Sequence, residues 1–164
     1  MGELWRCTSI SKIKWLDFFL MSENIQFYTE GEIIHPFPQL IKNYIQWLLL
    51  VLNKENKSII NLTYIFCSDE YLIDLNQKHL GHDYYTDIIT FPYQQGDLIE
   101  SDMFISVDRV KENAIEFCVP YETELRRVMV HGLLHLMGYG DKTEEEILIM
   151  RRKEDAYIDL WSEK

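Results

Sequence analysis

Residues 130–142 read V-H-G-L-L-H-L-M-G-Y-G-D-K. His131 and His135 are four apart in a strongly helical stretch, so their imidazoles stand one above the other on one face. Two histidines at that spacing can reach one tetrahedral metal ion, as on the zincin helix. Gly138 can end the helix in a left-handed turn that swings the chain back and brings Asp141 toward the same point. Two nitrogens and a carboxylate leave one coordination position for water or a substrate oxygen, the layout of a catalytic rather than a closed structural site. The spacing alone also fits two partly buried helix histidines with satisfied hydrogen bonds; the glycine stop and the nearby carboxylate favour the metal. Zincin proteases place Glu directly after the first His as general base. This chain has Gly132 there, which weighs against peptide hydrolysis by that route.

A second concentration lies at residues 80–92, L-G-H-D-Y-Y-T-D-I-I-T-F-P, followed by S-D-M-F-I-S-V-D at 101–108. His82, Asp83 and Asp87 gather just before a strand, where side chains can point into a cleft. Turn and strand-start chemistry explains the two aspartates equally well.

The elements that position these residues follow from periodicity. Residues 24–28 suit a short strand, and 39–53 carry apolar positions at helical spacing. Residues 58–67 alternate and are rich in β-branched side chains, a strand; Asp69 is a good N-cap for a helix ending near Leu80-Gly81. Residues 86–91 and 103–107 read as strands, and 109–117 as a short helix. Pro120 can open a helix that runs from Tyr121 to Met137 until Gly138. Thr143-x-x-Glu146 is a capping box opening a last helix to about Leu160. The mixed order predicts one α+β domain, a small mixed β-sheet packed with helices, with the histidine helix zincin-like in its metal spacing.

Bulk properties narrow the function classes. The 164 residues suit one domain, and 47% apolar with 26% charged residues is a globular mix. The richest apolar stretch, residues 41–52, is interrupted by Lys42, Asn43 and Gln46 and falls short of the ~18 residues that span a membrane. Cys7, Cys67 and Cys118 are odd in number and far apart, which fits a reducing cytoplasm rather than a disulfide scaffold. Sixteen basic residues against 27 acidic give a net charge of -11. A protein gripping nucleic acid by bulk electrostatics is not expected to be so acidic; local basic patches or a metal would have to overcome that field. Residues 1–20 look foreign to the rest. Lys12, Lys14 and Asp17 interrupt any secretory signal, and Met21 offers a second start. The expected organisation is an N-terminal extension at 1–20, added by an upstream start or acting as an amphipathic arm, and one domain at 21–164.

The block His131-Gly-Leu-Leu-His135-Leu-Met-Gly138-Tyr139 resembles the signature of the YbeY family, H-G-x-L-H-L-x-G-Y-D-H. T-D-I-I-T-F at 86–91 is similar to the family's T-D-V-L-S-F strand, and S-D-M-F-I-S at 101–106 resembles its G-D-I-x-I-S strand. Leu75-Asn76 resembles the L-N before the family's arginine segment. Order and spacing match over roughly residues 21–160. Two positions depart from the pattern. The family's third histidine falls on Asp141, so the resemblance implies a His131, His135 and Asp141 ligand set. Carboxylate oxygen is an acceptable zinc ligand, and its charge makes a bound water less acidic. Leu80 stands where family members commonly carry an arginine implicated in RNA cleavage; His82 is the nearest cationic candidate.

The resemblance implies a metal-dependent, single-strand-specific endoribonuclease of ribosomal RNA processing, including maturation of the 16S 3′ end, and of ribosome quality control. Its expected cofactor is one Zn2+ per chain, other divalent transition metals also being chemically acceptable. No small-molecule cofactor and no membrane enter; the expected partners are rRNA and the small ribosomal subunit in the cytoplasm. His131 and His82 are the expected catalytic residues. Arg126 and Arg127, just before His131, either supply positive charge near the developing anion or lie on a solvated face pairing with Glu122 and Glu124. Arg151-Arg152-Lys153 could touch rRNA or pair with Glu145, Glu146 and Asp155. A metal-bearing ribosome assembly factor with little catalysis is the alternative, and a metalloprotease a weaker one.

Overall fold

The computed structural model describes residues 22–81 and 84–161. The extension at residues 1–20, Met21, His82 and Asp83 lie outside the described residues. The elements run β1 (Ile25–Thr29), α1 (Ile41–Lys54), β2 (Ser58–Cys67), α2 (Asp69–Leu75), β3 (Ile88–Gln94), β4 (Leu98–Ser106), α3 (Val107–Glu116), α4 (Tyr121–Leu136) and α5 (Glu144–Ile158).

The sheet order is β1-β2-β4-β3. β2 lies between two parallel neighbours, and β3 closes the far edge antiparallel to β4. Parallel pairing of β1 and β2 requires a crossover, which α1 supplies. The mixed sheet with helices packed on it is the expected α+β architecture.

Alternation along β2 sorts side chains to two faces. Leu62, Tyr64 and Phe66 enter the large core with Trp47 and Leu48 of α1 and Leu133 and Leu134 of α4. Cys67 faces the other way, into a smaller cluster with Leu72 of α2 and Ile89 of β3. Tyr64 donates from its hydroxyl to the Met129 carbonyl of α4 at 3.3 Å, and Trp47 Nε1 donates to the Tyr157 carbonyl of α5 at 2.7 Å. These two bonds cross the core from sheet and α1 to the helices that carry the site.

Gly132 explains how closely α4 lies on the sheet. A Cβ there would stand 2.5 Å from Ile88 Cδ1 and 3.0 Å from Met103 Sδ. The position therefore faces β3 and β4, and a glutamate at it would be aimed into the sheet.

Several boundaries differ from the sequence reading. Ser68, not Asp69, caps α2, its hydroxyl accepting from Tyr71 N. The helix expected to reach Leu80 stops at Leu75 and continues as a π-helical turn, Asn76–Leu80, closed by Gly81 in a left-handed conformation at φ +69°. β3 starts at Ile88 rather than Thr86. β4 reaches back to Leu98, because Ser101 and Asp102 pair with both β2 and β3.

Candidate functional site

Helix α4 ends in a Schellman motif. Tyr139 N donates to the Leu134 carbonyl at 3.1 Å, Gly138 N donates to that of His135 at 3.0 Å, and Gly138 sits at φ +99°. Four residues later the capping box of α5 begins. Thr143 Oγ1 accepts from Glu146 N, while the Glu146 carboxylate accepts from Lys142 N and Thr143 N. Gly140 lets that carboxylate tuck under the turn, since a Cβ would stand 2.7 Å from it. Asp141 is thus carried on a short turn pinned at both ends.

The result brings the three expected ligands together. His131 Nε2 and His135 Nε2 are 3.0 Å apart, and Asp141 Oδ2 is 3.3 Å from the latter and 3.8 Å from the former. A tetrahedron with ligand distances of ~2.0–2.1 Å has edges of about 3.3–3.4 Å, which these separations bracket. Both imidazoles are oriented from behind. His131 Nδ1 lies 2.7 Å from Glu154 Oε1, and His135 Nδ1 lies 2.9 Å from the Tyr139 carbonyl. Each acceptor calls for a proton on Nδ1, which leaves both Nε2 lone pairs converging on the Asp141 carboxylate. Such a donor set repels itself until a cation or protons fill it, so the residues fit a divalent metal ion.

Glu154 belongs to a charged network. Arg127 donates to it from Nη1 at 3.1 Å and to Asp155 from Nη2 at 2.8 Å, with Glu124 3.8 Å from Arg127 Nε. Burial opposes charge on His131, but the Glu154 carboxylate outweighs it and raises the imidazole above its ordinary value. The His135 side is anchored by Glu55, the residue after α1. Its carboxylate accepts from Tyr139 Oη at 2.8 Å, Lys153 Nζ at 2.5 Å and Tyr157 Oη. Burial opposes the Glu55 charge, yet these donors hold the carboxyl below its ordinary value.

A cleft of about 590 Å³ opens beside the triad, lined among others by Asp87, Phe117, Arg127, His131, Asp141 and Arg151. His131, His135 and Asp141 side chains are each between a quarter and a half exposed, so the point on which they converge is open to solvent. Asp87 is held at the cleft by Asn113, whose Nδ2 donates to Oδ2 at 3.2 Å; burial raises its carboxyl above the ordinary value, against the lowering influence of His131 and local donors.

The structure separates the remaining sequence candidates. Arg126 is not on a solvated face: it is buried, its guanidinium 4.6 Å over the Trp161 ring. Arg127 reaches the cleft but is committed to Glu154 and Asp155. Lys153 pairs with Glu55 rather than with Glu145, Glu146 or Asp155. His82 lies outside the described residues. Sequence reasoning missed Glu154, although a signal exists. Met150, Glu154 and Tyr157 form one buried stripe of α5, and a carboxylate on an apolar stripe needs a partner inside.

The profile of the family described as Endoribonuclease YbeY matches residues 25–162. A protein named Endoribonuclease YbeY from Flavobacterium psychrophilum is 50% identical over 122 residues, 74% of this chain and 87% of that one. Another of the same name, from Cytophaga hutchinsonii, is 55% identical over 115 residues, 70% of this chain and 80% of the relative. A solution structure of a Thermotoga maritima protein superposes with a TM-score of 0.60 at 32% identity, covering 82% of this chain and 87% of that one.

Proposed function

The chain belongs to the YbeY endoribonuclease family, and on that premise we propose that His131, His135 and Asp141 hold one zinc ion beside a cleft in which single-stranded ribosomal RNA is cut. The observation that carries the reading is the convergence of two Nε2 lone pairs and one carboxylate oxygen at the mouth of that cleft. When bound there, the ion supplies Lewis-acid polarisation of a phosphoryl oxygen and acidifies water. The protein's own residues do the rest. Glu154 and the Tyr139 carbonyl hold the Nδ1 protons of His131 and His135, fixing the tautomer and aim of each ring. Gly132 offers no base, so proton transfer falls to groups facing the cleft. His82 enters as the cation near the cleaved phosphate on sequence grounds alone.

The proposed setting is the cytoplasm, with rRNA of the small ribosomal subunit as substrate. Among the described residues no helix is long and apolar enough to cross a membrane.

Metal content measured by plasma mass spectrometry on untagged protein tests the ligand set. About one equivalent of zinc is expected in the wild type and a marked loss in Asp141→Ala. His131→Ala is expected to abolish metal-dependent cleavage of a single-stranded rRNA fragment; undiminished cleavage overturns the assignment. Stoichiometric metal and binding to small-subunit particles without cleavage would instead favour an assembly factor.

A further inference from the structure

We propose that Arg151 and Phe117 form a single-nucleotide subsite beside the metal centre, the guanidinium taking a phosphate and the ring a base of single-stranded RNA. The subsite rests on the endoribonuclease reading above. Both residues line the cleft that also contains His131 and Asp141.

The charge inventory of that cleft singles out Arg151. Five carboxylates line it, from Asp87, Glu124, Asp141, Glu154 and Asp155, against two arginines. Arg127 is spent on Glu154 and Asp155, at 3.1 and 2.8 Å. On a helix the acidic neighbours of Arg151 are three and four residues on, Glu154 and Asp155, and Arg127 already holds both. Four residues before stands Ile147. Arg151 is exposed and makes no ion pair among the described residues, so its five donors are available to a ligand. A cation kept free among acidic neighbours suits a phosphate diester, which it can bind bidentately.

Phe117 supplies what electrostatics cannot in a chain of net charge -11. Phe117 is 56% exposed and lines the cleft wall. The C-terminus of α3 presents it firmly: Phe117 N donates to the Asn113 carbonyl at 2.8 Å, and Val119 N to that of Ala114 at 3.0 Å, around Cys118 at φ +54°. Val119 and Ile147 continue the apolar wall. Base stacking on an aromatic ring needs no positive field and tolerates any base. An apolar wall and one free guanidinium in a cleft that His131 and Asp141 also line match the parts of a nucleotide: base, flanking phosphate and the phosphate to be cut.

The two roles are separable by salt. Anisotropy titrations of a fluorescent single-stranded 2′-O-methyl RNA, its integrity checked by gel after each titration, would be run with zinc-loaded full-length protein across a salt series. Arg151→Ala is expected to weaken binding about fivefold to tenfold and to reduce the slope of log K against log salt by about 0.7, one phosphate contact on a single strand. Arg151→Lys is expected to keep most of the slope. Phe117→Ala is expected to weaken binding about tenfold with the slope unchanged, and Phe117→Trp to restore it. Zinc content is expected to stay at wild-type level in all four variants. Wild-type affinity and slope in Arg151→Ala overturn the subsite alone. A wild-type protein that neither binds nor cleaves RNA overturns the endoribonuclease reading and the subsite with it.

Discussion

His131 and His135 stand one turn apart on the same helix face, yet opposite kinds of partner hold them. Behind His131 is a buried carboxylate, Glu154, itself gripped by Arg127. Behind His135 is a neutral main-chain carbonyl whose direction is set by Gly138 and by the anchoring of the Tyr139 side chain on Glu55. One ring is aimed by charge and the other by chain geometry. The first should fail when charge is removed with the fold intact, and the second when the backbone is strained with every charge in place.

Removing Glu154 is the most severe way to break the charged side. Glu154→Ala strips the Nδ1 acceptor from His131 and one of two carboxylates donated to by Arg127. Zinc affinity is expected to fall about 10- to 100-fold in a chelator competition. Glu154→Gln keeps an oxygen acceptor without the charge and is expected to lose less. Wild-type affinity in both would mean that packing alone aims His131.

The backbone side is tested at Gly138. Its φ of +99° is a conformation that L side chains rarely adopt, and nothing lies within 4 Å of an added Cβ, so Gly138→Ala strains the turn without a clash. A loss of about 1–2 kcal/mol in urea unfolding is expected, with weaker zinc binding because the Tyr139 carbonyl moves. Glu55→Gln is expected to act in the same direction but more gently, a few-fold in zinc affinity on the scale of one ordinary net hydrogen bond, about 1 kcal/mol. Long-range nitrogen–proton NMR of the metal-free protein distinguishes this from a general loosening. The His135 ring is expected to begin exchanging tautomers while His131 keeps its signature.

The same contrast marks what the sequence could reveal. His131, His135, Gly138 and Asp141 are local, within eleven residues, and helical spacing plus one glycine places them together. Strand β2 and helix α4 were legible because alternation and a Pro-to-Gly frame are local too. Glu154 and Glu55 join the site across 23 and 84 residues, respectively, from the partners they hold, and tertiary packing alone brings them there. The polar start of β4 was invisible for a related reason: Ser101 is buried in a strand, with its hydroxyl donating to the Phe91 carbonyl, a pairing that no single-strand pattern encodes. Arg126 reads as a surface residue by type, yet its long side chain covers Trp161.

Asp87 sharpens the comparison with the smallest effect. It adds to the field that Glu154 and Asp141 place around His131, and burial raises its carboxyl above the ordinary value of 3.8. The sign follows from linkage: between the two values the folded chain holds a proton that the unfolded chain has released, so stability falls as pH rises through this window. Above the raised value the cost of a buried charge is paid in full. Asp87→Asn removes that charge while keeping an oxygen for the Asn113 donor. The metal-free variant is expected to melt about 2–4 °C higher than wild type at pH 7, with the difference fading as pH drops below 3.8. A constant difference across the whole range would assign the gain to packing. Loss of stability at pH 7 would mean that His131 and the Asn113 amide more than offset the burial of Asp87, and that the charged side of the site is balanced as an ion network rather than held under strain.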